Sequence, residues 1–267
     1  MDELVFFNRE ILPPVKSSIL ALSSAALYGK GIFTTIAIYN GLPFLWEKHW
    51  RRLSENAMTL KIDLSGFSEG STESALKELI EKNNVTDGRA RITFFDESAS
   101  AFWPFESDRK ASLLITTADR KSVPHNFRVK MSLNRVSSLS KLAAIKSCNY
   151  LDNIIAYEDA RETGFDEAIR LNEGGEVVGA CMANVFWASG EQLFTPSVRT
   201  GCLPGTTREF ILENLECEEV EELYDKIYKA DSIFLTSAGL GVVQASDLAG
   251  WKPEISDHPI LHLIPQK

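Results

Sequence analysis

Segments typical of strands and of helices alternate along both halves of this 267-residue chain, and this alternation limits the possible folds most. Residues 31–46 predict a hairpin, because Asn40-Gly41 suits its two-residue turn. Apolar residues at helical spacing predict helices over residues 47–60, 72–83, 150–163 and 220–231, and another that begins at residue 205 or 206. Strands are predicted over residues 89–95, 111–118, 128–136, 166–172, 177–188 and 232–238.

A polar, turn-rich segment separates the two halves. We expect a linker or domain boundary near residues 118–126, which include the sequence SVPHN. A chain of this length forms one large domain or two ordinary ones. Because both halves mix strands and helices, we predict an α+β protein of two α/β-type domains, over residues 1–120 and 121–267.

Composition excludes several classes of function. The net charge of −9 disfavours nucleic acid, since no basic run is longer than the pair Arg51-Arg52. The acidic start MDELVFFNREILPP does not resemble a signal peptide, and no apolar run is long enough for a membrane span. The four cysteines form no C-x-x-C pair, so we expect neither a metal site nor disulfides, and we predict a cytoplasmic protein.

Lys146 is the first candidate for chemistry, because it lies between an apolar approach and an amphipathic helix in LAAIKSCNYLDN. An apolar setting lowers the pKa of a lysine and makes its amine a nucleophile. A surface lysine at the start of a helix would look the same in sequence. Local sequence alone therefore leaves both interpretations open.

Two segments suggest anion sites. Gly205, Thr206 and Thr207 in LPGTTRE could bind a phosphate at a helix N-terminus, although an ordinary helix cap explains them as well. Ser237 and Ala238 in FLTSAGLG end a strand, where hydroxyl and N–H groups could also meet an anion or form a plain turn.

Arginines provide the remaining candidates. Arg52 in HWRRL could reach a phosphate from a helix, or lie on a solvated face. Arg89 and Arg91 are two residues apart and share one face of a strand. Such a pair could bind a substrate carboxylate, or pair with acidic residues on a neighbouring strand.

The order of these motifs resembles the class IV, fold-type IV pyridoxal-phosphate enzymes. This family includes branched-chain aminotransferases, D-amino-acid transaminases and aminodeoxychorismate lyases. The resemblance extends from ALYGKGIFTT to LTSAGLGVV and covers nearly the whole chain. It is carried by Y-G-x-G-x-F at 28–33, H-x-x-R-L at 49–53, IKSCNYLDN around Lys146, ANVFW at 183–187, LFTP at 193–196 and LPGTTR at 203–208.

The resemblance implies a D-amino-acid aminotransferase-like fold, with a small N-terminal α/β domain and a larger C-terminal pseudo-barrel domain. It implies pyridoxal 5′-phosphate as cofactor, amino and 2-oxo acids as substrates, and a homodimer. Lys146 would form the Schiff base and move the proton, and Tyr150 would hydrogen-bond the phenolic oxygen. By position, the phosphate would be bound by Arg52, Thr206, Thr207, Ser237 and Ala238. Tyr28, Phe33, Arg89 and Arg91 occupy substrate-side positions.

One position departs from the family pattern. The family has a Glu five residues before the Asn of its N-x-F motif, where it contacts the pyridine nitrogen. Here that position is Gly179. Glu176 would lie on the opposite face of a continuous strand, and Cys181 on the same face but further along. Either a water or a residue from elsewhere would then take the place of the acid, or the ring nitrogen would be neutral.

The loop DESASAFWPFES lacks the Arg and His of the D-amino-acid transaminases. Its Phe102, Trp103 and Phe105 suggest an apolar substrate wall, or packing against a second subunit. We therefore expect an aminotransferase for an amino acid or amine with an apolar side chain. Two alternatives remain: an aminodeoxychorismate lyase that forms 4-aminobenzoate and pyruvate, and a cofactor-binding pseudoenzyme, which the missing acid suggests.

Overall fold

A computed structural model describes residues 3–98, 111–120, 122–254 and 257–265. The chain divides into two compact units. The first unit comprises Met1–Lys121 with Lys146–Asn149, and the second comprises Ser122–Ile145 with Tyr150–Lys267. The segment that carries Lys146 thus belongs to the first unit, whereas the predicted domain boundary assigned it to the second half of the chain.

The first unit is built on a six-stranded antiparallel sheet in the order β2-β1-β6-β5-β3-β4. Tyr39 pairs with Leu42, so Asn40-Gly41 forms the predicted hairpin turn. The strands are β1 Val5–Phe7, β2 Glu10–Leu12, β3 Gly31–Tyr39, β4 Leu42–Pro43, β5 Gly88–Asp96 and β6 Ala111–Asp119.

Helices cover one face of this sheet. They are α1 Ser24–Tyr28, α2 Trp46–Leu60 and α3 Glu69–Lys82, with a 3₁₀ turn at Pro14–Lys16. Ser68 caps α3 through a capping box with Ser71, which explains why α3 begins before the predicted residue 72. Ile32 on β3, Phe94 on β5 and Leu113 on β6 are opposite one another and essentially inaccessible to solvent.

The second unit holds two sheets. One has the order β12-β11-β10-β13-β14, and the other has the order β15-β7-β8-β9. The strands are β7 Arg128–Met131, β8 Glu167–Leu171, β9 Val177–Ala180, β10 Asn184–Ser189, β11 Gln192–Pro196, β12 Glu218–Val220, β13 Ser232–Ser237, β14 Gly241–Gln244 and β15 Asp247–Leu248. Both sheets contribute to one apolar core, as Val129, Ile169, Val185 and Leu235 show.

Helices α4 Leu151–Glu162 and α5 Thr206–Asn214 belong to this unit, together with 3₁₀ turns at Val198–Thr200, Tyr224–Lys229 and Pro259–His262. The mixture of sheets and helices confirms the predicted α+β fold. In the described parts of the chain, no helix is both long and apolar enough to cross a bilayer.

Two predicted elements were wrong. Residues 177–188 are not one strand, because the chain turns at residues 181–183 between β9 and β10. No helix covers residues 220–231 as predicted; instead β12 ends at Val220, and a 3₁₀ turn follows at Tyr224–Lys229. Strand β12 pairs in parallel with β11 through Pro196 and Val220, and this long-range pairing overrides the local helical periodicity.

We predict that Phe94→Ala destabilises the protein by about 3–5 kcal/mol, because it leaves a cavity in the core. Phe94 packs against Trp50 and Phe67, with ring centroids 6.4 and 5.4 Å away. Leu42→Ala is the control, since Leu42 is 62% exposed. Chemical denaturation measures both, and similar small effects for the two variants would contradict this description of the core.

Candidate active site

Main-chain hydrogen bonds attach the Lys146 segment to the edge of β3. The amide of Phe33 donates to the carbonyl of Lys146 at 2.9 Å, and the amide of Cys148 donates to the carbonyl of Gly31 at 2.8 Å. A side chain at Gly31 would place its Cβ 2.9 Å from both Phe94 O and Cys148 Sγ. The glycine therefore permits the close approach that fixes Lys146 beside β3.

The Lys146 side chain lies among aromatic and cationic groups. Its Nζ is 4.7 Å from the centroid of the Phe33 ring, and the Arg91 guanidinium is 3.6 Å from the same centroid. Burial is the main cause that lowers the pKa of Lys146 to about 7, and the charges of Arg52 and Arg91 contribute. A large share of the amine is therefore neutral near pH 7, the state that a nucleophile requires.

Arg52 is held from the opposite face of β3. Its Nη2 donates to Thr34 Oγ1 at 2.7 Å, and Thr34 Oγ1 lies 2.6 Å from His49 Nδ1. Burial, with the charges of Arg52 and Lys146, keeps the pKa of His49 well below its ordinary value, so the ring is neutral. The Thr34 oxygen thus accepts from Arg52 and shares a second hydrogen bond with His49 Nδ1, in which either atom can be the donor.

The remaining candidates of the first unit lie on two elements. Arg89 and Arg91 are opposite Ala37 and Thr35 on β3 and share the sheet face of Phe33, as predicted. Tyr28 is the last residue of α1 and is 44% exposed. Phe102, Trp103 and Phe105 lie outside the described residues.

In the second unit, Thr206 and Thr207 form the buried first turn of α5. Gly205 is the N-cap and provides no side-chain hydrogen bond to the turn. A Cβ at Gly205 would lie only 2.0 Å from Asn184 Oδ1. Asn184 Nδ2 in turn donates to the carbonyl of Leu203 at 2.9 Å, which ties the approach to α5 to the start of β10. Such an N-terminus suits an anion.

Ser237 ends β13 opposite Gly241, and Ala238 follows it in the turn. The hydroxyl oxygen of Ser237 accepts from the amide of Leu240 at 3.2 Å and so closes this turn. The sequence left two interpretations open for this segment, a plain turn and an anion site. The hydrogen bond to Leu240 shows that the segment does form a turn. The hydrogen of the same hydroxyl can still be donated.

Tyr150 is the N-cap residue of α4, and its hydroxyl donates to the carbonyl of Cys181 at 3.0 Å. The turn after β9 is held by Glu167, whose carboxylate accepts from the amides of Cys181 and Met182 at 3.0 and 3.1 Å. Burial raises the pKa of Glu167. Because these bonds turn the chain at Cys181, the expectation that Cys181 continues the strand of Gly179 was wrong.

Gly179 lies on β9 opposite Arg170 on β8. Within 4 Å, a Cβ at Gly179 would meet only the carbonyl oxygen of Ala183, at 3.3 Å, among the described residues. Sequence reasoning singled out Gly179 but missed Thr34, Glu167 and Arg170. These three residues occur inside strand-like runs, where no local pattern distinguishes a site residue from a packed one.

Comparisons with known proteins agree with the resemblance. A family model for amino-transferase class IV matches residues 31–248. Aminodeoxychorismate lyase of Bacillus subtilis (strain 168) is 29% identical over 90% of this chain and 85% of that protein. D-alanine aminotransferase of Bacillus licheniformis is 28% identical over 92% of this chain and 88% of that protein. The branched-chain aminotransferase of Thermoproteus uzoniensis has the same fold, with a TM-score of 0.90 at 22% identity, over 98% of this chain and 92% of that chain.

We predict that Lys146→Met stabilises the cofactor-free protein by up to about 4 kcal/mol near pH 7, since each pKa unit by which burial lowers the pKa of Lys146 corresponds to about 1.4 kcal/mol. The pKa of Lys146 is about 7 in the folded state and 10.5 for the model group. Between these values the unfolded state binds more protons, so wild-type stability rises with pH and the advantage of the variant shrinks.

Urea unfolding near pH 7 and about pH 10 checks this prediction. Lys77→Met is the control, because Lys77 is 51% exposed and pairs with Glu73 on α3. If Lys146→Met gave the same stability difference at both pH values, the lowered pKa would be contradicted.

Proposed function

Since this chain belongs to the class IV aminotransferases, we propose that it is a pyridoxal-phosphate enzyme in which Lys146 carries the chemistry. The proposed reaction moves an amino group between an amino acid or amine with an apolar side chain and a 2-oxo acid. The observation that supports this proposal is the environment of Lys146. Its amine lies over the Phe33 ring beside two arginines, and its pKa is lowered. We also propose that the protein is cytoplasmic, as its composition predicts, and a homodimer, as the family resemblance implies.

The residues fit the cofactor in most respects. Lys146, with a pKa of about 7, provides an amine that is substantially neutral near pH 7 for the aldehyde, and Arg52 is a buried cation held by Thr34. The N-terminus of α5, with Thr206 and Thr207, suits the phosphate. Ser237 and Ala238 would extend the phosphate site, and the hydroxyl of Tyr150 would serve the phenolic oxygen. Gly179 is the one position that offers no side chain to the ring nitrogen.

When bound, the cofactor supplies a ring that withdraws electrons and acidifies the Cα–H of the substrate. The amine of Lys146 then accepts that proton and returns it, which requires a pKa near the working pH. Arg52 and α5 keep the phosphate fixed, so the reacting bond keeps its orientation.

Arg91 is proposed to bind a carboxylate of the substrate. Its guanidinium rests on the Phe33 ring and is exposed, so it can accept an anionic partner from solvent. Arg89 shares its sheet face and adds positive charge there, and Tyr28 remains a proposed substrate contact. An apolar ring beneath the guanidinium also suits an apolar side chain.

Aminodeoxychorismate lyase is the second candidate. The similarity to the lyase of Bacillus subtilis, 29% identity over 90% of this chain, favours it. Gly179 favours it too, because a ring without an acidic partner withdraws electrons less well, whereas formation of an aromatic product helps the lyase reaction. The same Lys146 would accept the Cα proton in both reactions.

The first test is cofactor attachment. Purified protein mixed with pyridoxal 5′-phosphate should develop a visible absorption band, and Lys146→Ala should lose it. Lys130→Ala is the control. Lys130 lies on β7, and its Nζ donates a hydrogen bond to Thr163 Oγ1 at the surface. A wild-type protein without the band would overturn both enzyme functions.

A protein that passes this test is then assayed for the two reactions. Apolar amino donors are screened with pyruvate or 2-oxoglutarate, and aminodeoxychorismate is tested for release of 4-aminobenzoate. Amino transfer without 4-aminobenzoate supports the aminotransferase, and the reverse supports the lyase. A cofactor band with neither activity would indicate the pseudoenzyme.

We also predict that Thr34→Val weakens pyridoxal 5′-phosphate binding about tenfold. The change keeps the shape but removes the oxygen that holds Arg52 and that forms a hydrogen bond with His49 Nδ1. Equilibrium dialysis against the free cofactor measures the change. Thr59→Val, on the exposed side of α2, is the control, and equal affinities for the two variants would contradict the role of Thr34.

A further inference from the structure

Arg170 lies directly opposite Gly179 in the antiparallel pair of β8 and β9. Side chains of opposite residues project from the same face of a sheet. The first turn of α4 lies against this face, since Asp152 and Asn153 bind Arg170. Tyr150, the proposed partner of the cofactor's phenolic oxygen, precedes that turn and binds the carbonyl of Cys181, two residues after Gly179.

The guanidinium of Arg170 is buried, with its side chain 3% exposed. Its Nη1 donates to Asn153 Oδ1, and its Nη2 donates to the Asp152 carboxylate and, at 3.3 Å, to the carbonyl of Arg135. Nε has no hydrogen-bond partner among the described residues. A buried donor without an acceptor is costly, so Nε favours a ligand that brings one.

The charge of Arg170 is only weakly neutralised. Asp152 is 66% exposed, and water screens an ion pair with such a partner. Glu167 cannot neutralise it from the same face, because it is three residues away on β8 and binds the amides of Cys181 and Met182. Gly179 provides no acid on the neighbouring strand, and among the described residues only the Ala183 carbonyl oxygen lies within 4 Å of the place that its Cβ would take.

We propose that Arg170 faces the pyridine nitrogen of the cofactor, where its Nε donates a hydrogen bond that keeps this nitrogen unprotonated. An unprotonated pyridine nitrogen is an acceptor and matches the unused donor. A protonated nitrogen would be a second donor and a second positive charge, so it would suit neither the Nε donor nor the positive charge of Arg170. The pair Gly179 and Arg170 thus replaces an acid with a cation and weakens the electron withdrawal by the ring.

This inference rests on the proposed function, because it requires pyridoxal 5′-phosphate to bind. The test therefore begins with the absorption band of the bound cofactor in the wild-type protein. A protein without this band overturns the proposed function and the inference together. Where the band is present, the state of the ring nitrogen decides the inference alone.

The decisive measurement is the nitrogen-15 NMR shift of ring-labelled cofactor bound to the wild-type protein. We expect the shift of an unprotonated pyridine near neutral pH. In the double variant R170M/G179E, an acid replaces the cation, and we expect the shift of a protonated ring. A protonated ring in the wild-type protein would overturn the inference.

The variant Asp152→Asn separates this role from a merely structural ion pair. It removes the carboxylate partner but leaves the guanidinium and its Nε in place. We expect an unprotonated nitrogen in Asp152→Asn and a change of protonation only when Arg170 itself is replaced. Equal effects of Asp152→Asn and Arg170→Met on the shift would reduce Arg170 to a structural residue and overturn the inference.

A binding comparison gives a second readout that does not depend on activity. The probe is a cofactor analogue in which CH replaces the ring nitrogen, so it cannot accept the bond from Nε. We expect the wild-type protein to prefer the natural cofactor about tenfold, as one hydrogen bond from a charged donor would give, and Arg170→Met to lose the preference. An unchanged preference in Arg170→Met would contradict the bond.

Discussion

The pairing of the Lys146 segment with the edge of β3 is the interaction on which the candidate site depends. Through it, one strand organises two sets of groups on its two faces. Phe33 projects to the face of Lys146 and Arg91, and Thr34 projects to the face of His49 and Arg52. Alternation along the strand thus places Lys146, the proposed nucleophile, and Arg52, the proposed phosphate ligand, on opposite faces of β3.

This arrangement gathers positive charge in a chain whose net charge is −9. Burial is the main cause that lowers the pKa of Lys146, and repulsion from Arg52 and Arg91 adds to it. A ligand with a phosphate and a carboxylate would relieve that repulsion, so the charge cluster selects an anionic partner. Burial and the charges of Arg52 and Lys146 all lower the pKa of His49, so His49 lies beside these groups as a neutral ring.

The sequence predicted the elements that depend on local chemistry. Asn40-Gly41 defined its hairpin, and apolar spacing defined α2 and α3, because turns and amphipathic helices are encoded over a few residues. The helix predicted over residues 220–231 was wrong because Val220 pairs with a strand more than twenty residues away in sequence. Local sequence made Lys146 a candidate, and the resemblance added its expected role and singled out Gly179. Arg170 emerged only from strand register, which a single sequence does not define.

The path of the chain has a consequence for how this protein can be divided. Lys146–Asn149 belongs to the first unit, although residues on both sides of it belong to the second. A fragment that ended at Lys121 would keep all six strands of its sheet and lose the amine, and it would leave the edge of β3 at Ile32 uncovered. The amine of Lys146 thus belongs to the smaller unit although the flanking sequence belongs to the larger one, and a cut between the two units separates this lysine from the strand with which it pairs.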